Sequence, residues 1–129
     1  MQVSELMTGP AGTCGPDATV AEVAQKMSEG EIGSLAIAKD GALLGIVTER
    51  DVVRAVAAGL SPATTLVAEV MTPNPDSLEP DVSVEDAANW MLAAGYRHLP
   101  VVEGDRIMGM ISMKDLMWAL TDRGTPEEK

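Results

Sequence analysis

Two rhythms of apolar and polar positions run along this chain, and each occurs twice. After Pro16-Asp17-Ala18, Val20, Val23, Ala24 and Met27 recur at helical spacing, with Thr19 placed to cap the helix and Gly30 to end it. Val84, Ala87, Ala88 and Met91 repeat that face behind Ser83, with Gly95 at the exit. Two short apolar runs follow in each case, residues 35–38 and 43–47, then residues 99–102 and 107–111. Asp40-Gly41 and Gly104-Asp105 divide the runs, which is the turn chemistry of a tight antiparallel hairpin. A last helix is expected after Thr48, carrying Val52, Val53 and Val56, and again after Ser112, carrying Leu116, Met117 and Leu120. A shorter strand is expected ahead of each first helix, near Thr13-Cys14 and Ser77-Leu78. The predicted order is strand, helix, strand, strand, helix, twice over.

The repetition extends to residue identity. Sliding the chain along itself by 64 residues lays residues 3–56 on 67–120 without a gap. Identical pairs run from Val3/Val67, Glu5/Glu69 and Met7/Met71 through Leu35/Leu99, Gly45/Gly109 and Asp51/Asp115 to Ala55/Ala119. Two copies follow, residues 1–64 and 65–129. One copy of about 60 residues is marginal as an independent fold. The copies are therefore expected to bury their sheet faces against each other about a pseudo-twofold axis, giving one compact α+β body.

Composition narrows the chemistry. Hydrophobic residues make up 46% and charged residues 22% of the 129 residues, the balance of a globular protein. Aromatics are 2%, with no Phe, so Val, Ala, Leu, Ile and nine Met must build the core. No apolar run approaches the roughly 20 residues of a membrane span, and a soluble, cytoplasmic protein is expected. Nine Lys and Arg against 20 Asp and Glu give a net charge of −11, which repels nucleic acid and anionic lipid. With one Cys and one His there is no internal disulfide and no Cys/His cluster for a metal. A Cys14–His98 nucleophile pair has no third residue to orient the base, so no catalytic residue is assigned.

The segments Gly45-Ile46-Val47-Thr48-Glu49-Arg50-Asp51 and Gly109-Met110-Ile111-Ser112-Met113-Lys114-Asp115 carry the candidate chemistry. Each puts a hydroxyl at a helix start, a cation two residues on and an aspartate three residues on. Capping alone accounts for the hydroxyl and the acid, and Thr19…Glu22 and Ser83…Asp86 have the same pattern. The added cation and the backbone amides of a helix start make an anion site, and the aspartate can accept bonds from a vicinal diol such as ribose. The glycine allows another group to approach the strand end closely. Phosphate and sugar recognition on one corner, twice, suggests a nucleotide cleft.

With these corners, Glu5-Leu6-Met7-Thr8, Glu69-Val70-Met71-Thr72-Pro73, Leu35-Ala36-Ile37 and Leu99-Pro100-Val101-Val102, the chain resembles the CBS-domain family, as a tandem CBS pair. The resemblance covers nearly the whole chain. It implies two β-α-β-β-α CBS repeats and a regulatory, non-catalytic module binding an adenosine derivative (AMP, ADP, ATP or S-adenosylmethionine) in the cleft between the repeats. By that resemblance Asp51 and Asp115 would hold ribose hydroxyls. Thr48, Arg50, Ser112 and Lys114 would lie near phosphate or sugar, and Thr13 and Ser77 would border the base. Arg97 and His98 would supply basic phosphate contacts. The first copy has Gly33 and Ser34 there, which favours one dominant site. The repeats fill the chain, so a regulated effector protein would be a separate partner. The alternative is a CBS-pair dimer that binds no nucleotide and acts as a scaffold.

The other notable residues have simpler readings. Cys14 is a small buried residue of a short strand. Trp90 aligns with Lys26 and Trp118 with Arg54, so both are expected near the surface, with Trp90 or Trp118 in a homodimer contact through the helices.

Overall fold

The computed structural model describes residues 1–7 and 12–121. The chain forms two compact units. Gly12–Pro75 makes the first, and Met1–Ala11 with Asp76–Lys129 makes the second. The sequence copies run 1–64 and 65–129, so the leading segment of each copy belongs to the compact unit of the other. The bonds that hold the leaders correspond. Val20 donates to the Thr65 carbonyl (2.9 Å) and Val67 to Ala18 (2.7 Å) in the first unit. Val84 donates to Met1 (2.9 Å) and Val3 to Val82 (2.9 Å) in the second. Val3 and Val67, each in a single 3-10 turn, are fully buried and anchor the exchanged segments.

The first unit holds β1 (Thr13–Cys14), α1 (Val20–Gly30), β2 (Ser34–Lys39), β3 (Ala42–Thr48), α2 (Glu49–Ala57) and β4 (Thr72–Pro73). β1 runs parallel to β2, β2 is antiparallel to β3, and β3 is antiparallel to β4. Asp40 and Gly41 both have positive φ, 53° and 83°, as a two-residue turn of type I′ requires. Thr19 caps α1 with a closed box: its hydroxyl accepts from the Glu22 amide (3.1 Å) and Glu22 accepts from the Thr19 amide (3.0 Å). Those bonds hold the Glu22 carboxyl below the usual glutamate range. Val23 and Met27 then pack on Leu35, Ile37, Val47 and Val67. A buried aliphatic side chain of this kind contributes about 1.5–3 kcal/mol.

The second unit holds α3 (Val84–Ala94), β5 (His98–Glu103), β6 (Arg106–Ser112) and α4 (Met113–Leu120), with β5 antiparallel to β6. Its core joins Val3, Leu6, Leu78, Val84, Ala87, Ala88 and Met91 to Leu99, Val101, Ile111 and Leu116.

Three differences separate the copies. The strand expected at Ser77-Leu78 reduces to a single bridge, Leu78 to Val101. Pro100 stands where the first copy has Ala36, and without an N–H it cannot supply the next rung. Gly30 does not end α1. It is the last helical residue, and Glu31 takes the left-handed cap position (φ 52°) that Gly95 takes after α3 (φ 79°). The last helices also differ in anchoring. Leu116 of α4 is fully buried, whereas its counterpart Val52 of α2 is half-buried and α2 buries only Ala55. Val53 is 65% exposed and Val56 55%.

Candidate functional site

In each unit the hairpin delivers one strand end to a helix start. In the first, Ser34 and Thr48 are cross-strand partners, and Glu49, the first residue of α2, donates its amide to the Gly33 carbonyl (3.0 Å). The Thr48 hydroxyl accepts from the Asp51 amide (3.3 Å). Asp51 in turn accepts from the Thr48 amide (2.9 Å) and hydroxyl (3.1 Å), both at Oδ2. The Asp51 carboxylate is thus committed to its own helix cap. Thr13 lies half-buried in β1 beside Ala36, at the same end of the sheet as Ser34 and Thr48, and Arg50 is exposed.

The second corner has the same backbone and a different side-chain state. His98 and Ser112 are cross-strand partners, and Met113 donates its amide to the Arg97 carbonyl (2.8 Å). The Ser112 hydroxyl accepts from the Asp115 amide (3.1 Å), but the return bond is not made. Among the described residues the Asp115 carboxylate has no hydrogen-bond partner. At the same hairpin end His98 and Ser112 are half-buried, and Arg97 and Lys114, next to them along the chain, are exposed. Ser77 is exposed at the same end of the hairpin, one residue before the Leu78 bridge.

Two parts of the expected chemistry change. Carbonyls and cap hydroxyls already take up the Glu49, Asp51, Met113 and Asp115 amides, so these four amides are not free to receive an anion. The close approach that Gly45 permits is made by the chain itself. A Cβ there would stand 2.5 Å from the Met71 sulfur and 2.7 Å from the Thr72 carbonyl oxygen, where β4 crosses β3. No sequence signal separates the two aspartates, because the same hydroxyl-x-x-Asp pattern precedes both.

Other candidates have structural settings. Burial raises the Cys14 thiol above its ordinary value despite the opposing charge of Lys26. Lys26 itself donates to the Thr13 carbonyl (2.5 Å). Trp90 is 38% exposed and Trp118 half-buried, consistent with the cations at their counterpart positions. The sequence reading missed one feature. Tyr96 packs edge-on against Trp90, with ring centres 5.9 Å apart, and its hydroxyl donates to the Asp76 carboxylate. That bond raises the Tyr96 pKa. Among the described residues no group of three His, Cys, Asp or Glu could hold a metal ion, and no helix is long and apolar enough to cross a membrane.

Comparisons with known proteins agree with this architecture. The CBS domain family model matches residues 3–58 and 67–122. The CBS domain-containing protein YhcV of Bacillus subtilis is 32% identical over 114 residues, which span 88% of this chain and 81% of YhcV. Other curated relatives are longer, and this chain spans 16% and 22% of two of them. The crystal structure of the CBS-domain containing protein ATU1752 from Agrobacterium tumefaciens superposes with a TM-score of 0.83 at 32% identity, covering 93% of this chain and 99% of that one. The CBS domain pair of protein MJ0100, in complex with methylthioadenosine and S-adenosylmethionine, shares the fold with a TM-score of 0.86 at 24% identity, covering 95% and 98%. With a family match in each copy, the chain belongs to the CBS-domain family, as a tandem CBS pair.

Proposed function

We propose that this CBS pair is a non-catalytic regulatory module that binds an adenosine-containing ligand, with AMP, ADP, ATP and S-adenosylmethionine as the candidates. One observation carries the reading. The Asp115 carboxylate lies unclaimed by its own helix, at the helix start capped by Ser112, whose cross-strand partner is His98 and whose flanking residues include the exposed cations Arg97 and Lys114. A carboxylate accepts both hydroxyls of a ribose, and cations meet a phosphate. Thr13, Thr48, Arg50 and Asp51 form the weaker corner, because Asp51 must open its cap to take a sugar. The MJ0100 pair, of the same fold, binds two adenosine derivatives. Ligand binding regulates only through unequal affinity for two states of the protein, and a separate effector protein reads the difference. A homodimer formed through the helices fits the exposed Trp90, Leu92, Met117 and Leu120 of α3 and α4.

The test is thermal denaturation with each of the four compounds at millimolar concentration. At 100 times Kd a ligand confined to the native state adds about 2.7 kcal/mol. Asp115→Ala is expected to abolish the response while remaining folded, since its side chain makes no cap bond. Asp51→Ala is expected to lower Tm through the lost cap and to keep the response. If no compound raises Tm, the function passes to the second reading, a CBS-pair dimer acting as a scaffold, which the exposed apolar helix faces favour.

A further inference from the structure

Asp76 and Ser77 lie at the hairpin end that also carries the Asp115 corner, and they lack the backbone bond that would pin them there. Leu78 bridges Val101 in parallel register, donating to the Pro100 carbonyl (2.9 Å) and accepting from the Val102 amide (2.8 Å). Carried one step back along the chain, that register asks the amide of residue 100 to bond the Asp76 carbonyl. Pro100 has no N–H, so the rung is missing. At the same place the first copy pairs two residues, Thr13 with Ala36 and Cys14 with Ile37.

A side chain takes over. The Tyr96 hydroxyl, from the turn between α3 and β5, donates to the Asp76 carboxylate. Trp90 of α3 packs edge-on against the Tyr96 ring, with centres 5.9 Å apart, and fixes its direction. All three residues are particular to this copy: Gly12, Ile32 and Lys26 hold the corresponding positions of the first. There the Lys26 ammonium donates to the Thr13 carbonyl (2.5 Å), so α1 reaches β1 by a different bond. Each copy therefore clasps the segment ahead of its first helix from the same helix position, with unrelated chemistry. The path of the segment is what both bonds preserve.

Ser77 is what that segment presents, exposed between Asp76 and the Leu78 bridge. Neighbouring strands lie about 4.8 Å apart, so the end of β6 and this segment, with β5 between them, are about 10 Å apart. A nucleoside laid across β5 spans that gap, with its ribose at Asp115 and its base at Ser77.

We infer that Tyr96 is a positioning residue: through the Asp76 carboxylate its hydroxyl holds Ser77 where the base of the ligand lies. The inference deepens the adenosine reading, on which it rests for the ligand, by naming what fixes the base side of the site.

Tyr96→Phe removes the hydroxyl and keeps the ring against Trp90, so the variant folds. In the full chain without ligand, amide hydrogen exchange read by NMR is expected to quicken severalfold at Leu78 and Val102 and to stay unchanged in α4. AMP, ADP, ATP and S-adenosylmethionine are then titrated beside ribose 5-phosphate, which has no base. Tyr96→Phe is expected to bind the adenosine compounds roughly threefold to tenfold more weakly, the worth of one hydrogen bond, and ribose 5-phosphate as tightly as wild type. Asp76→Ala is expected to show the same loss, and the two changes together no more than either alone. Asp76→Asn, whose amide oxygen still accepts from the hydroxyl, is expected to lose less. Unchanged affinity, equal weakening of ribose 5-phosphate, losses that add in the double variant, or unaltered exchange at Leu78 would overturn the inference. If wild type binds none of the adenosine compounds, the ligand reading falls. Quickened exchange at Leu78 then keeps the clasp, and unaltered exchange removes it as well.

Discussion

Gly45 offers the sharpest test of the packing described here. In Gly45→Ala the new methyl carbon would lie 2.5 Å from the Met71 sulfur, 2.7 Å from the Thr72 carbonyl oxygen and 3.0 Å from Met71 Cγ, where ordinary contact is 3.4–4 Å. The sulfur can swing aside. The carbonyl belongs to β4, whose rungs to β3 join Gly45 to Pro73 and Ile46 to Thr72, so the strand must retreat by several tenths of an ångström. Overpacking of this kind costs about 1–3 kcal/mol. Removing a glycine from the unfolded chain returns about 0.4–1 kcal/mol. A net loss of about 1–2 kcal/mol remains, which in a domain of this size lowers Tm by roughly 4–8 °C. Gly15→Ala is the internal control: nothing lies within 4 Å of its Cβ, and its Tm is expected to rise slightly. Met71→Ala separates the two contacts. Adding Gly45→Ala to Met71→Ala should still lower Tm, because the carbonyl clash persists. Scanning calorimetry and urea titration both read these differences. A Gly45→Ala protein at least as stable as wild type would show that β4 does not press on β3, and the account of this glycine would fail.

Two further outcomes follow from side chains the sequence left unassigned. Tyr96 is the chain's single tyrosine, so near-ultraviolet absorbance titrates it alone. Its bond to Asp76 puts its folded pKa above the unfolded value, so the stability it contributes is present below the ordinary tyrosine range and lost as pH rises through the folded value. Asp76→Asn should bring the midpoint down towards the ordinary value, and identical midpoints would refute the bond. For the proposed dimer, Leu92→Asp on α3, where the wild-type side chain is 64% exposed, should halve the sedimenting mass without lowering helix content. An unchanged mass would remove α3 from the contact.

Much of the fold was legible because its signals are local. Helical spacing marked α1 and α3, and Thr19, Thr48, Ser83 and Ser112 cap the four helices as their neighbours suggested. The Asp40-Gly41 turn and the hairpin registers follow from residues adjacent in the chain. Misreadings arose where a distant residue decides. Ser77-Leu78 fails to form a full strand because of Pro100, more than 20 residues away. The left-handed residue after α1 is Glu31 although a glycine precedes it, since helix length is set by the packing of Met27 and Ile32 in the core. At the candidate site the residues that come together within each unit were nameable in advance, but their bonding state was not.

Sequence by itself determined the duplication, the order of elements, the turn chemistry and the residue types at both corners, because period and capping depend on near neighbours. Tertiary structure decided which copy's leader joins which unit, since Val3 and Val67 are buried by residues far from them in the chain. It also decided that Asp51 closes its cap while Asp115 stays open, and that Val52 of α2 stays half-buried where Leu116 of α4 is fully buried. These outcomes turn on rotamers and on distances between remote residues, which two copies of one motif leave undetermined.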